Sequence, residues 1–445
     1  MNLNLQRNSL WALGEVVASA FSLFLIYKIA ISSLGIAALG IWSVVLATTS
    51  LGRVADIGLS AGLGRFIAAT TAKNDRSRAI AYVETAIVSN VLLYILIAAA
   101  IAIPAYFGLA YAMSGASLVE ARHLLPYSLV SFVLMGLTSA TTGAIIGQHR
   151  SDQKSMITLL GLGVQFVITV MYVPRFGLLA LAWGQIAQYT TLFIAGWLLF
   201  LRNHYGQWIF RFPYHWHKAV LNELMGFGMK VQLITFVTMV CDPLAKFLMS
   251  SMSGLEIVGL YEMGQRLVLQ VRQLIVMPIQ TIVPSISHHI ETNPEQVNEL
   301  YQKAVSLTVI FGFPLLLGVA VISPLISYLW LGRIDNMFVV LTVISCIGWS
   351  FNTLAAPAYL LGIGVGQVKW NAYGAILTTG GTGILGFIFG TFFGEYGVPV
   401  ATSLMIACGS ILTLIMNCKA MKIFPLPDAE SLYQAKDRVF KMLKR

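Results

Sequence analysis

Charge is scarce in this chain. Of its 445 residues only 10% are Asp, Glu, Lys or Arg, against 57% hydrophobic, and the mean hydropathy is +0.79. An ordinary soluble domain is excluded, and many membrane spans are implied. Cysteine is almost missing. Cys241, Cys346, Cys408 and Cys418 lie in or beside apolar runs without CxxC spacing, which excludes a disulfide framework and a thiolate metal site. There is no Gly-rich phosphate loop, nucleophile elbow or HExxH. His215-Trp216-His217 and His288-His289 have no nearby cysteine and read as surface, so no metal site is expected. No cleavable secretion signal is expected: Asn2 to Ser9 is polar, and the apolar run after it is long enough to span. Long loops are missing as well. The longest internal ones, 201–223 and 288–303, are too short for a soluble catalytic domain.

What the chain does have is a repeat. Gly40-Ile41-Trp42 returns as Gly259-Leu260-Tyr261, Arg53 as Arg272, Tyr82 as Tyr301 and Gly147-Gln148 as Gly366-Gln367, all 219 positions on. Pro104 returns as Pro324, and Phe176-Gly177 as Tyr396-Gly397, at 220. The expected fold is an all-α polytopic membrane protein of twelve transmembrane helices in two six-helix lobes. The N-lobe covers 1–203, a linker 204–222, the C-lobe 223–418 and a basic tail 419–445. Internally repeated membrane proteins with buried charge usually transport, with the site at the repeat interface.

Lys and Arg placement gives the orientation. With the N-terminus inside, cytoplasmic loops and tails hold 18 of the 28 basic residues, while the opposite side holds Arg122, Arg175 and Arg333. Both termini are expected in the cytoplasm. The net charge of +10 is mostly this topological signal, and no nucleic-acid partner is expected. The tail 429–445 fits either an in-plane helix on an anionic leaflet or a solvated end.

Charges inside spans are costly, about 2.5–3.5 kcal/mol each at a helix centre, so they usually face a cavity or a partner. Here they gather in the first helices of each lobe: Glu15 and Lys28; Arg53, Asp56 and Arg65; Glu84; Lys230, Asp242 and Lys246; Glu262, Arg266 and Arg272. Lys28 faces away from the Glu15–Ser19–Ser22 stripe, which suits snorkelling to the outer surface. Arg53 and Asp56 share a face, as do Asp242 and Lys246, while Glu262, Arg266, Gln270 and Gln273 form one stripe with Gln265 beside it. Neutralisation in buried ion pairs is one reading. The other follows from the excess, seven basic residues against five acidic. A net-positive cavity favours an anion, and the planar fork of Arg suits phosphate. Arg53 and Arg272 could then clamp one anion from two walls, with Arg266, Lys230 and Lys246 assisting and Gln265, Gln270 and Gln273 contacting a sugar or lining the cavity. Asp56, Glu15 and Asp242 are the candidates for H+ or Na+ coupling; the alternative is that they only balance arginines. Pro243, Pro278 and Pro284 are expected to break the seventh and eighth helices, and Gly58, Gly62 and Gly64 to loosen the second.

Leu34-Gly35, Gly40-Ile41-Trp42, Asp56-Ile57-Gly58-Leu59 and Gly62-Leu63-Gly64-Arg65 resemble the opening signature of bacterial polysaccharide-repeat-unit flippases. Val258-Gly259-Leu260-Tyr261, Gln265-Arg266, Pro278 and Pro284-Ser285 are similar to the start of that family's second half. The resemblance covers essentially the whole chain and lies within the multidrug, oligosaccharidyl-lipid and polysaccharide exporter superfamily. It implies two lobes related by a pseudo-two-fold along the membrane normal. It also implies a non-enzymatic flippase moving an undecaprenyl-pyrophosphate-linked oligosaccharide across the bacterial inner membrane by alternating access, for cell-surface polysaccharide such as lipopolysaccharide. No cofactor is expected. The partners expected are the lipid-linked oligosaccharide, the bilayer and a polysaccharide polymerase machinery, with the protein itself a monomer. The first alternative is a proton- or sodium-coupled exporter of organic cations. The second is a membrane glycosyltransferase or ligase, for which the outer loop 104–123 offers only Glu120 and His123.

Overall fold

The structure is a computed structural model that describes residues 2–50, 63–64, 66–67, 70, 75–148, 150–280, 294–365, 367–429 and 431–433. Among the described residues there is no strand. The helices are α1 (Asn2–Leu34), α2 (Ile36–Ser50), α3 (Arg76–Ala112), α4 (Gly115–Gly147), α5 (Ser151–Phe176), α6 (Leu178–Tyr205), α7 (Lys218–Ser253), α8 (Leu255–Gln280), α9 (Pro294–Leu307), α10 (Phe313–Leu331), α11 (Asn336–Val365), α12 (Lys369–Phe393) and α13 (Gly397–Met421). A π-helical turn, Thr308–Gly312, joins α9 to α10 as one rod, which makes twelve rods among the described residues. Eight stretches among the described residues are long and apolar enough to cross a membrane, the last of them, Lys369–Met421, comprising two helices. α8 falls outside that set although it has 26 residues. At 1.5 Å per residue it exceeds the ~30 Å of hydrocarbon, so it is its charged and amide side chains that set it apart.

The chain divides into two compact units, Met1–Met239 and Val240–Arg445, with the division inside α7. The same helix neighbours recur in each. In the first unit α5 packs on α6, α4 on α6, α3 on α4 and α2 on α4; in the second α12 packs on α13, α11 on α13, α10 on α11 and α8 on α11. The backbone repeats at the sequence offset: Gly35 and Gly254, 219 apart, have φ of +86° and +89°. Each sits between the first and second helix of its unit, in a conformation that L side chains avoid.

Small residues set the close crossings. A Cβ on Gly409 would stand 2.5 Å from the Gly374 carbonyl oxygen, and one on Gly374 would stand 2.7 Å from that of Gly409, so α12 and α13 meet backbone to backbone. In the first unit Gly136 makes room for the buried Tyr94 ring, which lies 4.8 Å from the Phe132 ring and tilted by 32° to it. Outward faces keep large apolar side chains bare, among them Leu96 and Phe107 on α3, as lipid contact requires.

Two expectations are corrected. The region 104–123 is not a loop: α3 runs through Pro104 to Ala112 and α4 starts at Gly115. Glu120 and His123 are helical residues. The apolar run ends before the helix does, because helices longer than the hydrocarbon project from it. α7 is not broken at Pro243 but continues to Ser253. Proline inside a membrane helix removes one hydrogen bond and need not end it. Pro284 and the loosening glycines Gly58 and Gly62 lie outside the described residues.

Candidate functional site

Charges on α7 and α8 form a ladder of alternating sign. Lys246 Nζ lies 2.6 Å from Asp242 Oδ2 and 2.7 Å from Glu262 Oε2, and Glu262 Oε1 lies 2.6 Å from Arg266 Nε. The middle pair, Lys246 and Glu262, is buried at 3% exposure each, while the ends, Asp242 and Arg266, are 42% and 38% exposed. The i,i+4 spacings account for the rungs within one helix. The rung from Lys246 to Glu262 joins the two helices. The four charges cancel, so Lys246 has its charge committed to two carboxylates.

Arg272 is placed differently. It is half-buried on α8, and among the described residues it has no carboxylate partner. Its Nε donates to Asn352 Oδ1 at 2.8 Å, and its guanidinium lies 5.2 Å from the Trp349 ring centroid. Asn352 is held in turn by Ser410 Oγ at 3.0 Å, and Trp349 Nε1 donates to Gln265 Oε1 at 3.1 Å. These contacts fix the guanidinium plane, and among the described residues its two terminal amino groups have no hydrogen-bond partner. Gln265 is buried with its amide oxygen engaged, Gln270 is half-buried and Gln273 is exposed.

The remaining site residues fall into two groups. Arg53 and Asp56 lie outside the described residues, and Lys230 lies on α7 with its side chain outside them. Glu15 pairs with Lys154 of α5, a residue that sequence placed in a loop. Glu84 is also met from outside the spans, by Arg211 at 2.9 Å and His215 at 2.9 Å. With those two acids matched by Lys154 and Arg211, neither of which is among the seven basic residues counted above, those seven face the three remaining acids. The cationic excess is therefore larger than a count within the spans suggests. Glu223, ahead of the apolar stretch of α7, has its carboxyl held below the usual range, first by the hydrogen bond from Tyr82 and then by Arg78. That lowering prevails over partial desolvation.

Sequence reasoning missed Asn352, Trp349 and Ser410, because it searched the spans for charge. Amides and indoles in apolar helices were the available signal. It also missed the role of His215, whose ring faces Glu84 across the fold.

Residues 31–334 match the family model described as polysaccharide biosynthesis protein. No curated protein matches the chain. Solved structures do. A multidrug resistance MATE family transporter of the MOP superfamily, inward-facing, is 14% identical with a TM-score of 0.74 over 90% of this chain and 94% of its own. The lipid II flippase MurJ, inward closed, is 15% identical with a TM-score of 0.63 over 93% and 91%. A MOP superfamily transporter from Pyrococcus furiosus, described by the reverse polarity of its binding pocket, is 16% identical with a TM-score of 0.65 over 94% and 95%. At these identities the likeness carries the fold. Among the described residues the chain forms twelve helical rods in two units of like packing, and it belongs to the polysaccharide biosynthesis protein family as a multi-pass membrane protein with the fold of the MOP-superfamily transporters.

Proposed function

We propose that the protein is a flippase that carries undecaprenyl-pyrophosphate-linked oligosaccharide from the inner to the outer leaflet of a bacterial cytoplasmic membrane by alternating access. Both termini lie in the cytoplasm. The observation that carries this reading is Arg272, a half-buried guanidinium on α8 that has no carboxylate partner among the described residues and is braced by Asn352 and Trp349. A planar fork with two free amino groups matches a pyrophosphate oxygen pair. Arg53, 219 residues earlier, is its repeat-related partner in this role. The ladder Asp242–Lys246–Glu262–Arg266 is electrically closed, so its part is to hold α7 to α8, with the exposed Asp242 as the end open to a proton or sodium ion. Pyrophosphate gains energy in moving outward, about 2.3 kcal/mol per charge per 100 mV of inside-negative potential. Among the similar structures one is a lipid II flippase, so the fold accommodates a lipid-linked substrate.

The test is the leaflet location of lipid-linked oligosaccharide in cells with the protein, without it, and with Arg272→Ala combined with Arg53→Ala. Retention of the intermediate on the cytoplasmic face in the last two supports the proposal. Arrival at the outer face regardless of the protein, in cells lacking a redundant flippase, refutes it and leaves export of organic cations as the reading to pursue.

A further inference from the structure

Between α6 and α7 the chain places an aromatic residue at every second position: Trp208, Phe210, Phe212, Tyr214 and Trp216. They are 63%, 85%, 71%, 65% and 45% exposed, whereas Ile209, Arg211 and His215 are half-buried and Pro213 is buried. A period of two is that of an extended chain with alternate side chains on opposite sides. One side is riveted to the first unit. Arg211 and His215 grip Glu84, Trp197 Nε1 donates to the Arg211 carbonyl at 2.6 Å, and the His217 backbone N–H donates to Thr85 Oγ1 at 3.2 Å. Trp216 Nε1 donates to Ser89 Oγ at 3.1 Å. The aromatic row is thus held in one orientation, and it is a bare apolar face of a kind that soluble surfaces seldom keep.

Its position says what covers it. The segment leaves α6 at Tyr205 and enters α7 at Lys218, so both ends are tied to membrane helices. Apart from Trp197 on α6, its rivets lie on α3, whose candidate span Ser77–Ala112 has 36 residues. That length is about 54 Å against about 30 Å of hydrocarbon, which leaves about 24 Å to share between the headgroup layers and beyond. Glu84 to Ser89 stand about 12–20 Å from the start of α3 at 1.5 Å per residue, which, with the excess shared evenly, is at and just inside the boundary between headgroups and hydrocarbon. Cations flank the row: Arg202 lies 4.7 Å from the Trp208 ring centroid, and Lys218 is exposed at the other end. Trp and Tyr between basic residues are the composition of a bilayer interface, where rings sit among headgroups and cations meet lipid phosphates.

We propose that residues 206–217 are an in-plane membrane anchor, a strap whose aromatic row is seated in the headgroup layer and whose flanking cations bind anionic lipid. The strap sets the depth at which the Glu84 end of α3 stands in the membrane. The inference needs no transport substrate, and its test is independent of the flippase reading.

The test uses the full chain in vesicles of phosphatidylethanolamine and phosphatidylglycerol, with the native cysteines replaced by alanine and a nitroxide placed singly at Phe210→Cys, Phe212→Cys or Tyr214→Cys. Ser77→Cys, exposed at the start of α3, is the aqueous reference. Three positions are used so that loss of one variant to misfolding leaves the measurement intact. Expected is preferential collision with oxygen over a nickel chelate at the strap positions, by severalfold relative to Ser77→Cys, at a depth of about 5–10 Å. Nickel access equal to that at Ser77→Cys places the strap in water and overturns the proposal. Dipolar broadening that vanishes on dilution with unlabelled protein means that a second copy covers the row, and also overturns it.

Discussion

Glu262→Gln tests the charge ladder directly. Lys246 and Glu262 are 2.7 Å apart, and at an effective dielectric of about 20 two unit charges at that distance attract by about 6 kcal/mol. Desolvation takes back much of this. Removing one partner of a buried pair typically costs about 3–5 kcal/mol, because the other charge stays buried. In Glu262→Gln Lys246 keeps Asp242, and in Lys246→Met Glu262 keeps Arg266. Each single variant should therefore lose about 2–3 kcal/mol, at or below the low end of that range. The double variant Lys246→Met, Glu262→Gln removes both buried charges and leaves Asp242 and Arg266 at the exposed ends. It should lose only about 1 kcal/mol, since an apolar replacement of a buried pair is often neutral. The assay is the unfolding free energy of the four proteins in mixed micelles titrated with denaturing detergent. A double variant as unstable as the two singles summed would refute the ladder as a coupled unit.

Arg272→Gln should weaken binding of a pyrophosphate lipid about 30-fold, from the loss of about 2 kcal/mol of charge-assisted hydrogen bonding, as read by thermophoresis in detergent; Arg272→Lys should recover only part, because the fork is gone. Asn352→Ala should lower that affinity less than Arg272→Gln does, and an unchanged value would deny Asn352 a positioning role. Gly374→Leu should abolish monodisperse protein in fluorescence-detected size exclusion, since even a Cβ meets Thr413 Oγ1 at 2.1 Å and the Gly409 carbonyl at 2.7 Å. Glu84→Ala should release the segment after α6, seen as faster tryptic cleavage after Arg211 than in the parent; unchanged cleavage would show that Glu84 does not hold it.

The fold was legible where periodicity and repetition carry it. Offsets of 219 and 220 carried the repeat, seen again at Gly35 and Gly254, and helical spacing located the pairs Asp242–Lys246 and Glu262–Arg266. Spacing could not show the rung from Lys246 to Glu262, because it depends on how α7 and α8 pack. The brace of Arg272 was hidden for the same reason: Asn352 is 80 residues away on another helix. Glu84 and Glu15 looked like intramembrane acids because hydropathy marks where an apolar run ends. It does not mark where a cation from a loop or a neighbouring helix reaches back to meet the run. The turn from α3 to α4 was lost because polar residues of a projecting helix read as a loop.

The π turn at Thr308–Gly312 bears on how one rod of the second half came to hold one residue more than its counterpart. Tyr301, before it, stands 219 residues after its counterpart Tyr82, and Pro324, beyond it on the same rod, stands 220 after Pro104, while the later Gly366 is back at 219 from Gly147. A π turn closes its hydrogen bonds to the fifth residue instead of the fourth, so it stores one residue and keeps the register of the rest of its rod. The third rod of the second unit is then a copy of α3 carrying one inserted residue, absorbed as a bulge where Gly312 meets Thr353 and Ile275. Deleting Val309 should restore an unbroken α-helix with Pro324 still facing as Pro104 does, which makes the bulge an insertion scar that can be erased without moving either end of the rod.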